Sequence, residues 1–234
     1  MRGRRMSKAL NQSEKVNKFF SDFAVSWDML YGSKRHAVWR WVDRTFRRDV
    51  YERYRMTFER LGVNLDGKTI LDVGCGSGVY CLEAAQRGAK KVVGIDISGN
   101  MIKIAQEHSN ALGYDHICEF ICTKFPAEVS YAALEMTFDY GIVMGVMDYI
   151  AEAGEFLRHL RSLISQLVVV SFPGQHWLRE PLRKYRYRLL GRCNLYSYDE
   201  QKIKNAFHYA GFRRIDIKRL DHSGICYIVT AFTR

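Results

Sequence analysis

The predicted fold of this chain depends on one stretch, ILDVGCGSG at residues 70–78. A short strand runs directly into a loop with three glycines, and a helix is predicted from Val79 onward. In open α/β sheets, ligands bind beyond the carboxyl ends of the strands, where glycines let the backbone turn tightly and approach the ligand closely. The stretch therefore predicts a ligand-binding loop at the edge of an α/β sheet.

Short β-branched runs and helical stretches alternate on both sides of this loop, as is typical of a mainly parallel sheet with helices on both faces. The alternation predicts a doubly wound, seven-stranded α/β fold. The predicted strands are Thr69–Val73, Lys91–Ile95, His116–Ile121, Phe138–Met144, Leu167–Phe172, Arg213–Lys218 and Ile225–Phe232. The predicted helices are residues 13–31 and 38–61, Val79–Gln86, Met101–Leu112, Ala127–Leu134, Ala153–Ser162, a basic helix over residues 181–191, and Tyr198–Tyr209.

The composition of the loop distinguishes between three kinds of ligand site. A Walker loop holds phosphate with a Gly-Lys-Ser/Thr sequence, and residues 70–78 contain no lysine. A dinucleotide loop has the spacing Gly-x-Gly-x-x-Gly, whereas Gly74, Gly76 and Gly78 have the spacing Gly-x-Gly-x-Gly. Asp72, two residues before the first glycine, would repel a pyrophosphate. The loop therefore favours a cationic ligand.

The distribution of charge along the chain agrees with that interpretation. The formal net charge of +11 divides into +8 over residues 1–60, −5 over residues 61–170 and +8 over residues 171–234. The acidic middle tolerates a cationic ligand, while the basic flanks favour an anionic partner or are solvated helix faces.

A second carboxylate, Asp96, ends the next predicted strand, 24 residues beyond Asp72. At this place a carboxylate accepts hydrogen bonds from ribose hydroxyls. S-adenosylmethionine carries a sulfonium, an ammonium group and a ribose, but no phosphate. The two carboxylates and the glycine loop together predict S-adenosylmethionine as the cofactor.

These motifs resemble those of the class I S-adenosylmethionine-dependent methyltransferases, and the resemblance covers residues 65–234. It implies a Rossmann-like methyltransferase fold in which the glycine loop contacts the methionine portion of the cofactor, Asp96 the ribose and Ile97 the adenine. Residues 138–150 resemble the family's fourth-strand motif. The candidate cofactor-binding residues are Asp72, Gly74, Gly76, Gly78, Asp96, Ile97, Met101, Thr123, Met144 and Gly145.

Two positions depart from the pattern of that family. Many relatives have an aspartate after the third strand that binds the adenine amino group, whereas this chain offers Thr123 or a backbone group. Many small-molecule relatives have a histidine after the fourth strand, and Tyr149 stands at the matching position. A histidine base is therefore not expected at that place.

Methyl transfer from a sulfonium is an in-line displacement, so the protein mainly excludes water and holds the nucleophile near the methyl group. A base is needed only for an acceptor that is protonated at the working pH. The candidate catalytic residues are Tyr149, which would border the cofactor sulfur or orient the acceptor, and His176, as the base. Alternatively, Tyr149 is ordinary half-buried packing, and Asp148 is the base.

Two segments are candidates for covering the acceptor. Residues 1–60 are predicted to form an N-terminal tail and helical lid, residues 61–234 the methyltransferase core, and residues 173–196 a basic lid segment inserted into that core. The first segment resembles the lids of the ubiquinone and magnesium-protoporphyrin methyltransferase groups. The candidate acceptor-binding residues are Tyr31, Arg179 and Arg183, since arginine suits carboxylate and phosphate groups. Alternatively, the inserted segment is a solvated cover or a peripheral membrane contact.

The predicted function is transfer of a methyl group from S-adenosylmethionine to a small or lipid-linked acceptor, at an oxygen of an acidic or phenolic compound. The basic flanks suggest nucleic-acid methylation as an alternative, but the chain has no Asn-Pro-Pro-Tyr or Asp-Pro-Pro-Tyr motif. A third possibility is a cofactor-binding protein without catalysis.

The sequence also predicts where the protein is located and how its cysteines are used. The chain shows neither a secretory signal nor an apolar run of membrane-spanning length, so a cytoplasmic protein is expected. Its six cysteines have no Cys-x-x-Cys pair, which favours small core residues over a zinc site or a disulfide framework.

Overall fold

The fold is seen in a computed structural model that describes residues 11–12, 14–17, 50–128, 137–175, 185, 193–220 and 226–233. Its strands are β1 (Thr69–Val73), β2 (Lys91–Asp96), β3 (Cys118–Cys122), β4 (Phe138–Val143), β5 (Ile164–Pro173), β6 (Arg214–Leu220) and β7 (Cys226–Phe232). They form one seven-stranded sheet in the order β3-β2-β1-β4-β5-β7-β6. The strands from β1 to β5 pair in parallel, and β7 is antiparallel to both β5 and β6. The prediction of a mainly parallel seven-stranded sheet is confirmed.

The helices seen in these ranges are α1 at residues 12 and 14–17, α2 over residues 50–61, α3 (Val79–Gln86), α4 (Gly99–Leu112), α5 (Ala153–Leu163) and α6 (Glu200–Tyr209). A single 3₁₀ turn, Met147–Tyr149, follows β4. None of the helices in the described ranges has the length and apolar character needed to cross a membrane.

The helices cover both faces of the sheet. On one face, α2, α3 and α4 bury Phe58, Cys81 and Ala105 in one apolar core. On the other face, α5 and α6 bury Leu157 and Phe207 in a second core. A sheet buried on both faces explains why the central strands are almost continuously apolar in the sequence. The predicted two-faced covering of the sheet is also confirmed.

Aromatic packing fixes α2 against the helix that follows the glycine loop. The ring of Phe58 lies 5.2 Å from that of Tyr54 and 6.0 Å from that of Tyr80 on α3, measured between centroids. The Arg87 guanidinium covers the Phe58 ring at 4.5 Å. Aromatic and cation–π contacts of this kind stabilise a packed helix pair beyond simple burial. The position of α2 relative to the glycine loop is therefore well defined.

Three helices begin at other residues than predicted, because side-chain caps decide where a helix starts. Ser98 caps α4, which begins at Gly99 rather than Met101. Asn11 caps α1: Glu14 N–H donates to Asn11 Oδ1 at 2.9 Å, and Asn11 N–H donates to Glu14 Oε2 at 2.7 Å. The helix thus begins at Gln12 rather than residue 13. Asp199 accepts from Lys202 N–H at 2.8 Å and caps α6, so the predicted start at Tyr198 is wrong by two residues.

Candidate functional site

The glycine loop lies at an edge of the sheet where several strands end. β1 lies between β2 and β4, and Asp72 is level with Gly94 on β2 and Ile142 on β4. The chain runs outward from β1 to β3 and then returns to β4 on the other side of β1, so the strand order reverses there. Such a switch point leaves a crevice in which open α/β sheets bind ligands.

Backbone hydrogen bonds hold the glycine loop against the end of β2. The N–H groups of Gly74 and Cys75 both donate to Ile95 O, at 2.7 and 3.0 Å. Gly78 N–H donates back to Cys75 O at 3.0 Å and closes the turn before α3. The loop is therefore an ordered part of the sheet edge.

The three glycines of the loop are required for different reasons. All have positive φ, at 78°, 53° and 84° for Gly74, Gly76 and Gly78, which disfavours any residue with a Cβ. A Cβ on Gly74 would lie 2.2 Å from Val146 Cγ2, and one on Gly78 would lie 3.1 Å from the Phe120 ring. A Cβ on Gly76 would meet no atom of the described residues within 4 Å. Gly76 thus faces open space in the crevice, where a ligand has room to lie.

Asp96 is held in place by main-chain donors. Its Oδ2 accepts from Gly76 N–H at 3.0 Å, and its Oδ1 accepts from Ser98 N–H at 2.8 Å. Burial raises the pKa of the Asp96 carboxyl above its ordinary value, and these N–H donors partly offset the rise. The carboxylate is pre-oriented beside Gly76, and each oxygen keeps a second lone pair for a ligand hydroxyl.

Asp72 lies deeper, at the end of β1, and is 1% exposed. Its Oδ2 accepts from the Cys81 thiol on α3 at 3.4 Å. The pKa of the Asp72 carboxyl is raised to about 7: burial is the main cause and the nearby Asp96 carboxylate adds to it, while the Cys81 bond partly offsets the rise. Two acidic groups therefore lie close together in a poorly solvated place, which favours a cation beside them.

The start of α4 and the end of β3 complete this side of the crevice. Ser98 caps α4, with its Oγ accepting from Met101 N–H at 3.4 Å, and Met101 is buried. Thr123 N–H donates to Asp96 O at 2.9 Å, which places Thr123 beside the end of β2. Ile97 and Thr123 are both half-buried. These four residues lie together, as the predicted adenine side requires.

The exit of β4 lies against the glycine loop from the other side. Met144 and Gly145 are half-buried, and Gly145 N–H donates at 2.8 Å to Ser171 Oγ, a buried side chain on β5. Gly145 has a φ of 75° and precedes Val146, whose side chain lies against the Cα of Gly74. The predicted residues of β4 and of the glycine loop are thus adjacent in space.

Tyr149 ends the 3₁₀ turn after β4 and is half-buried. It packs with Val16 of α1 against Cys193 and Leu195. The structure therefore brings the predicted catalytic tyrosine to the carboxyl edge of the sheet, next to residues from both ends of the chain. Val16 and Leu195 carry no sequence motif, and only their packing identifies them.

Arg53 is a candidate site residue that the sequence did not indicate. Its Nη1 lies 3.7 Å from the position that a Cβ on Gly145 would take, so its guanidinium lies over the exit of β4. The aromatic packing of α2 holds the helix that carries it. In the sequence, Arg53 is one of several arginines on a helix, and no motif distinguishes it.

Four predicted site residues lie outside the described residues: Tyr31, His176, Arg179 and Arg183. Most of the N-terminal lid, most of the inserted lid segment and most of the predicted helix Ala127–Leu134 lie outside them as well. The roles assigned to these residues stay predictions.

Comparison with known proteins agrees with this arrangement. A family model described as a methyltransferase domain matches residues 64–211, which is more than half of the chain. The match begins just before β1 and ends just after α6. It includes the glycine loop, Asp96 and the exit of β4.

Two curated proteins are similar to parts of the chain. The ubiquinone biosynthesis O-methyltransferase of Bradyrhizobium diazoefficiens is 30% identical over 117 residues, which are 48% of this chain and 43% of that protein. The protein arginine N-methyltransferase 1 of Dictyostelium discoideum is 52% identical over 59 residues, which are 25% of this chain and 17% of that protein. The chain thus matches less than half the length of these relatives.

Among solved structures, the magnesium protoporphyrin IX methyltransferase of Synechocystis PCC 6803 with bound S-adenosylmethionine is similar over nearly the whole chain. The TM-score is 0.74 and the identity 22%, with 97% of this chain and 99% of that chain covered. At this identity the similarity establishes a common fold.

Proposed function

This chain belongs to the methyltransferase domain family, whose cofactor is S-adenosylmethionine, and we propose that it transfers the cofactor's methyl group to a small or lipid-linked acceptor. One observation carries the proposal: Gly76, in the glycine loop, faces space that no described residue fills, and its N–H is bonded to Asp96, whose carboxylate lies near the buried carboxyl of Asp72. An open position beside two acidic groups fits a cationic nucleoside better than a pyrophosphate.

Each acidic residue has a distinct role in this proposal. Asp96, already oriented by Gly76 and Ser98, accepts hydrogen bonds from the ribose hydroxyls. Asp72 lies behind the glycine loop, and a bound cation favours its ionised form. The sulfonium of the cofactor supplies a methyl group that a nucleophile displaces in line. The protein orients the cofactor at the switch point and excludes water from its methyl group.

Arg53 is proposed to bind the carboxylate of the cofactor's methionine portion. It lies at the exit of β4, and Val146 joins that exit to Gly74 of the loop predicted to hold the methionine portion. An arginine contacts a carboxylate through two parallel N–H donors, which fixes its orientation as well as its position.

The acceptor is proposed to bind on the other side of the β4 exit, beside Tyr149, and to present an oxygen of an acidic or phenolic compound. Tyr149 lies where the sheet edge meets α1 and Leu195, so it would border the transferred methyl group. The predicted lids, residues 1–60 and 173–196, would cover this side, with Tyr31, Arg179 and Arg183 holding an anionic acceptor and His176 acting as the base. Their net positive charge supports an anionic acceptor.

Two measurements test this function in order. Calorimetry with S-adenosylmethionine, S-adenosylhomocysteine and NAD is expected to detect the first two ligands and not the third, and preferred binding of NAD would refute the assignment. Transfer of a labelled methyl group is then followed with carboxylic acids, phenols, lipid-linked acceptors and RNA. Turnover of RNA alone would replace the small-molecule proposal, and cofactor binding without any turnover would favour a non-catalytic protein.

A further inference from the structure

Two hydrogen bonds join α1 to a segment near the other end of the chain. Gln12 Nε2 donates to Asn194 O at 3.0 Å, and Asn194 N–H donates to Gln12 Oε1 at 2.9 Å. One primary amide thus satisfies both main-chain polar groups of one residue, as a neighbouring strand would. The side chain of Asn194 takes no part in these two bonds.

Apolar contacts continue this interaction one helical turn further on. Val16 lies four residues after Gln12 and therefore on the same face of α1. It packs with Tyr149 against Cys193 and Leu195, which are 1% and 9% exposed. The face of α1 that carries Gln12 and Val16 thus covers the segment around Cys193.

Main-chain bonds tie this segment to the edge of the sheet. Tyr196 N–H donates to Asp148 O at 2.8 Å in the turn after β4. Tyr198 N–H donates to Pro173 O at 2.9 Å at the end of β5. The segment over residues 193–198 therefore runs across the ends of β4 and β5, and α1 lies on the segment beside the proposed acceptor side.

We propose that Gln12 is a latch, a positioning residue that holds α1 closed over Tyr149 and so controls entry of the acceptor. The proposal rests on the proposed function, because it assumes that the acceptor binds beside Tyr149. When the two bonds to Asn194 break, Val16 withdraws from Cys193 and Tyr149 becomes accessible. Rebinding of α1 then closes the acceptor side and excludes water from the methyl group.

Alkylation of Cys193 measures this opening without knowledge of the acceptor. Cys193 is buried and contacts Val16 of α1, whereas Cys122 at the end of β3 is exposed and serves as an internal reference. With iodoacetamide and peptide mass spectrometry, Gln12→Ala is expected to raise the labelling rate of Cys193 about tenfold relative to Cys122, the scale of losing two exposed hydrogen bonds. Asn194→Ala is the matched control and should change nothing, because the latch uses only the main chain there.

A second variant, Val16→Asp, opens the same contact by another route, because it places a carboxylate against Cys193 and Leu195. Thermal melting establishes that both variants are folded. If neither variant accelerates labelling of Cys193, or if Asn194→Ala accelerates it equally, the latch is refuted. The labelling rate of Cys193 does not depend on methyl transfer. The experiment therefore tests the latch even if no acceptor is found.

With an active acceptor, the kinetic effect separates a latch from a general loss of structure. Gln12→Ala is expected to raise the acceptor KM several-fold, while kcat and the Kd for S-adenosylmethionine stay close to those of the unmodified protein. An equal loss of cofactor affinity would overturn the proposal, because α1 would then support the cofactor side.

Discussion

The proposed cofactor side and the proposed acceptor side of this sheet edge are built in different ways. Most of the cofactor side comes from consecutive elements between Asp72 and Met101, whose bonds join residues at most 20 positions apart. On the acceptor side, Gln12 meets Asn194 across 182 positions, and Val16 packs with Tyr149. The first side is largely a sequence motif, whereas the second exists only in the folded chain.

The two sides differ in how readily their residues can be substituted. The cofactor side uses main-chain donors, buried carboxyls and positive-φ glycines, so most substitutions there disturb the backbone itself. The proposed acceptor side uses side chains from segments that are distant in the sequence and lie outside the strands of the sheet. A protein built in this way can keep its cofactor while changing its acceptor.

The largest expected effect is on cofactor binding in Gly76→Val. The branched side chain would fill the open space at Gly76 and weaken S-adenosylmethionine binding about 100-fold or more, since each 1.4 kcal/mol is a factor of ten. Gly113 is the matched control, because it also has positive φ, 74°, and among the residues that the structure describes no atom lies within 4 Å of its Cβ position. Calorimetry and thermal melting should show a similar stability loss in both variants and a loss of affinity in Gly76→Val alone. Equal affinities would place the ligand elsewhere.

The pH dependence of stability tests the burial of Asp72. Its pKa of about 7 lies above the ordinary value, so the folded protein holds this proton more tightly than the unfolded chain. The resulting stability is complete below the ordinary pKa and is lost as the pH rises through 7. For the cofactor-free protein, this loss amounts to about 2–4 kcal/mol.

Asp72→Asn, which has nearly the same shape, is expected to reduce this loss. Urea denaturation at pH 5 and pH 8 measures it. Some dependence should remain, because burial also raises the pKa of Asp96. An unchanged difference between the two pH values in Asp72→Asn would show that Asp72 is not the group that titrates.

Asp96→Ala is expected to weaken S-adenosylmethionine binding by about 1–3 kcal/mol, the scale of leaving buried polar groups unpaired. The variant loses the ribose contact and also the acceptor for Gly76 and Ser98. Asp199→Ala is a suitable control, since it removes a carboxylate cap of α6 outside the crevice. The control should lose about 1 kcal/mol of stability and keep its cofactor affinity. If both variants bind the cofactor like the unmodified protein, Asp96 is only a structural residue.

Arg53→Ala has the smallest expected effect, a weakening of S-adenosylmethionine binding of about tenfold. Binding of 5′-methylthioadenosine, which lacks the methionine carboxylate, should be unaffected. Arg55→Ala is the control, because Arg55 is on the same helix but is exposed and pairs with Glu52 and Glu59. If Arg53→Ala instead raises only the acceptor KM, the arginine binds an anionic acceptor. In that case Arg53 belongs to the acceptor side and not to the cofactor side.

The agreement between predicted and observed elements is best where the pattern is contiguous. β1 and α3 have the predicted limits, because an apolar run, three glycines and a helical pattern follow one another without an alternative. The start of α6 differs, since Ser197 and Asp199 both suit a cap and only Asp199 reaches Lys202 N–H. Which of two neighbouring residues caps a helix depends on small energy differences, and sequence patterns do not resolve these.

Candidate site residues follow the same rule. Asp72, Asp96 and the glycines were found because their spacing carries chemical meaning, and the structure brings them together. Arg53 was missed, because nothing in the helical pattern separates it from Arg55. Only the packing of Tyr54 and Phe58 against α3 directs one of the two toward Gly145 and leaves the other exposed.

The class of fold, the cofactor and the loop proposed to face it follow from local sequence patterns, because positive-φ glycines and strand-end carboxylates act through the backbone of their own segment. The side chains around the proposed acceptor side, and the position of Arg53 on the proposed cofactor side, depend on how the elements pack together. The pairing of Gln12 with Asn194, the packing of Val16 on Cys193 and the position of Arg53 over Gly145 each depend on strand order and helix docking. Contacts between segments far apart in the chain form only when the whole sheet is assembled, and no local pattern records them.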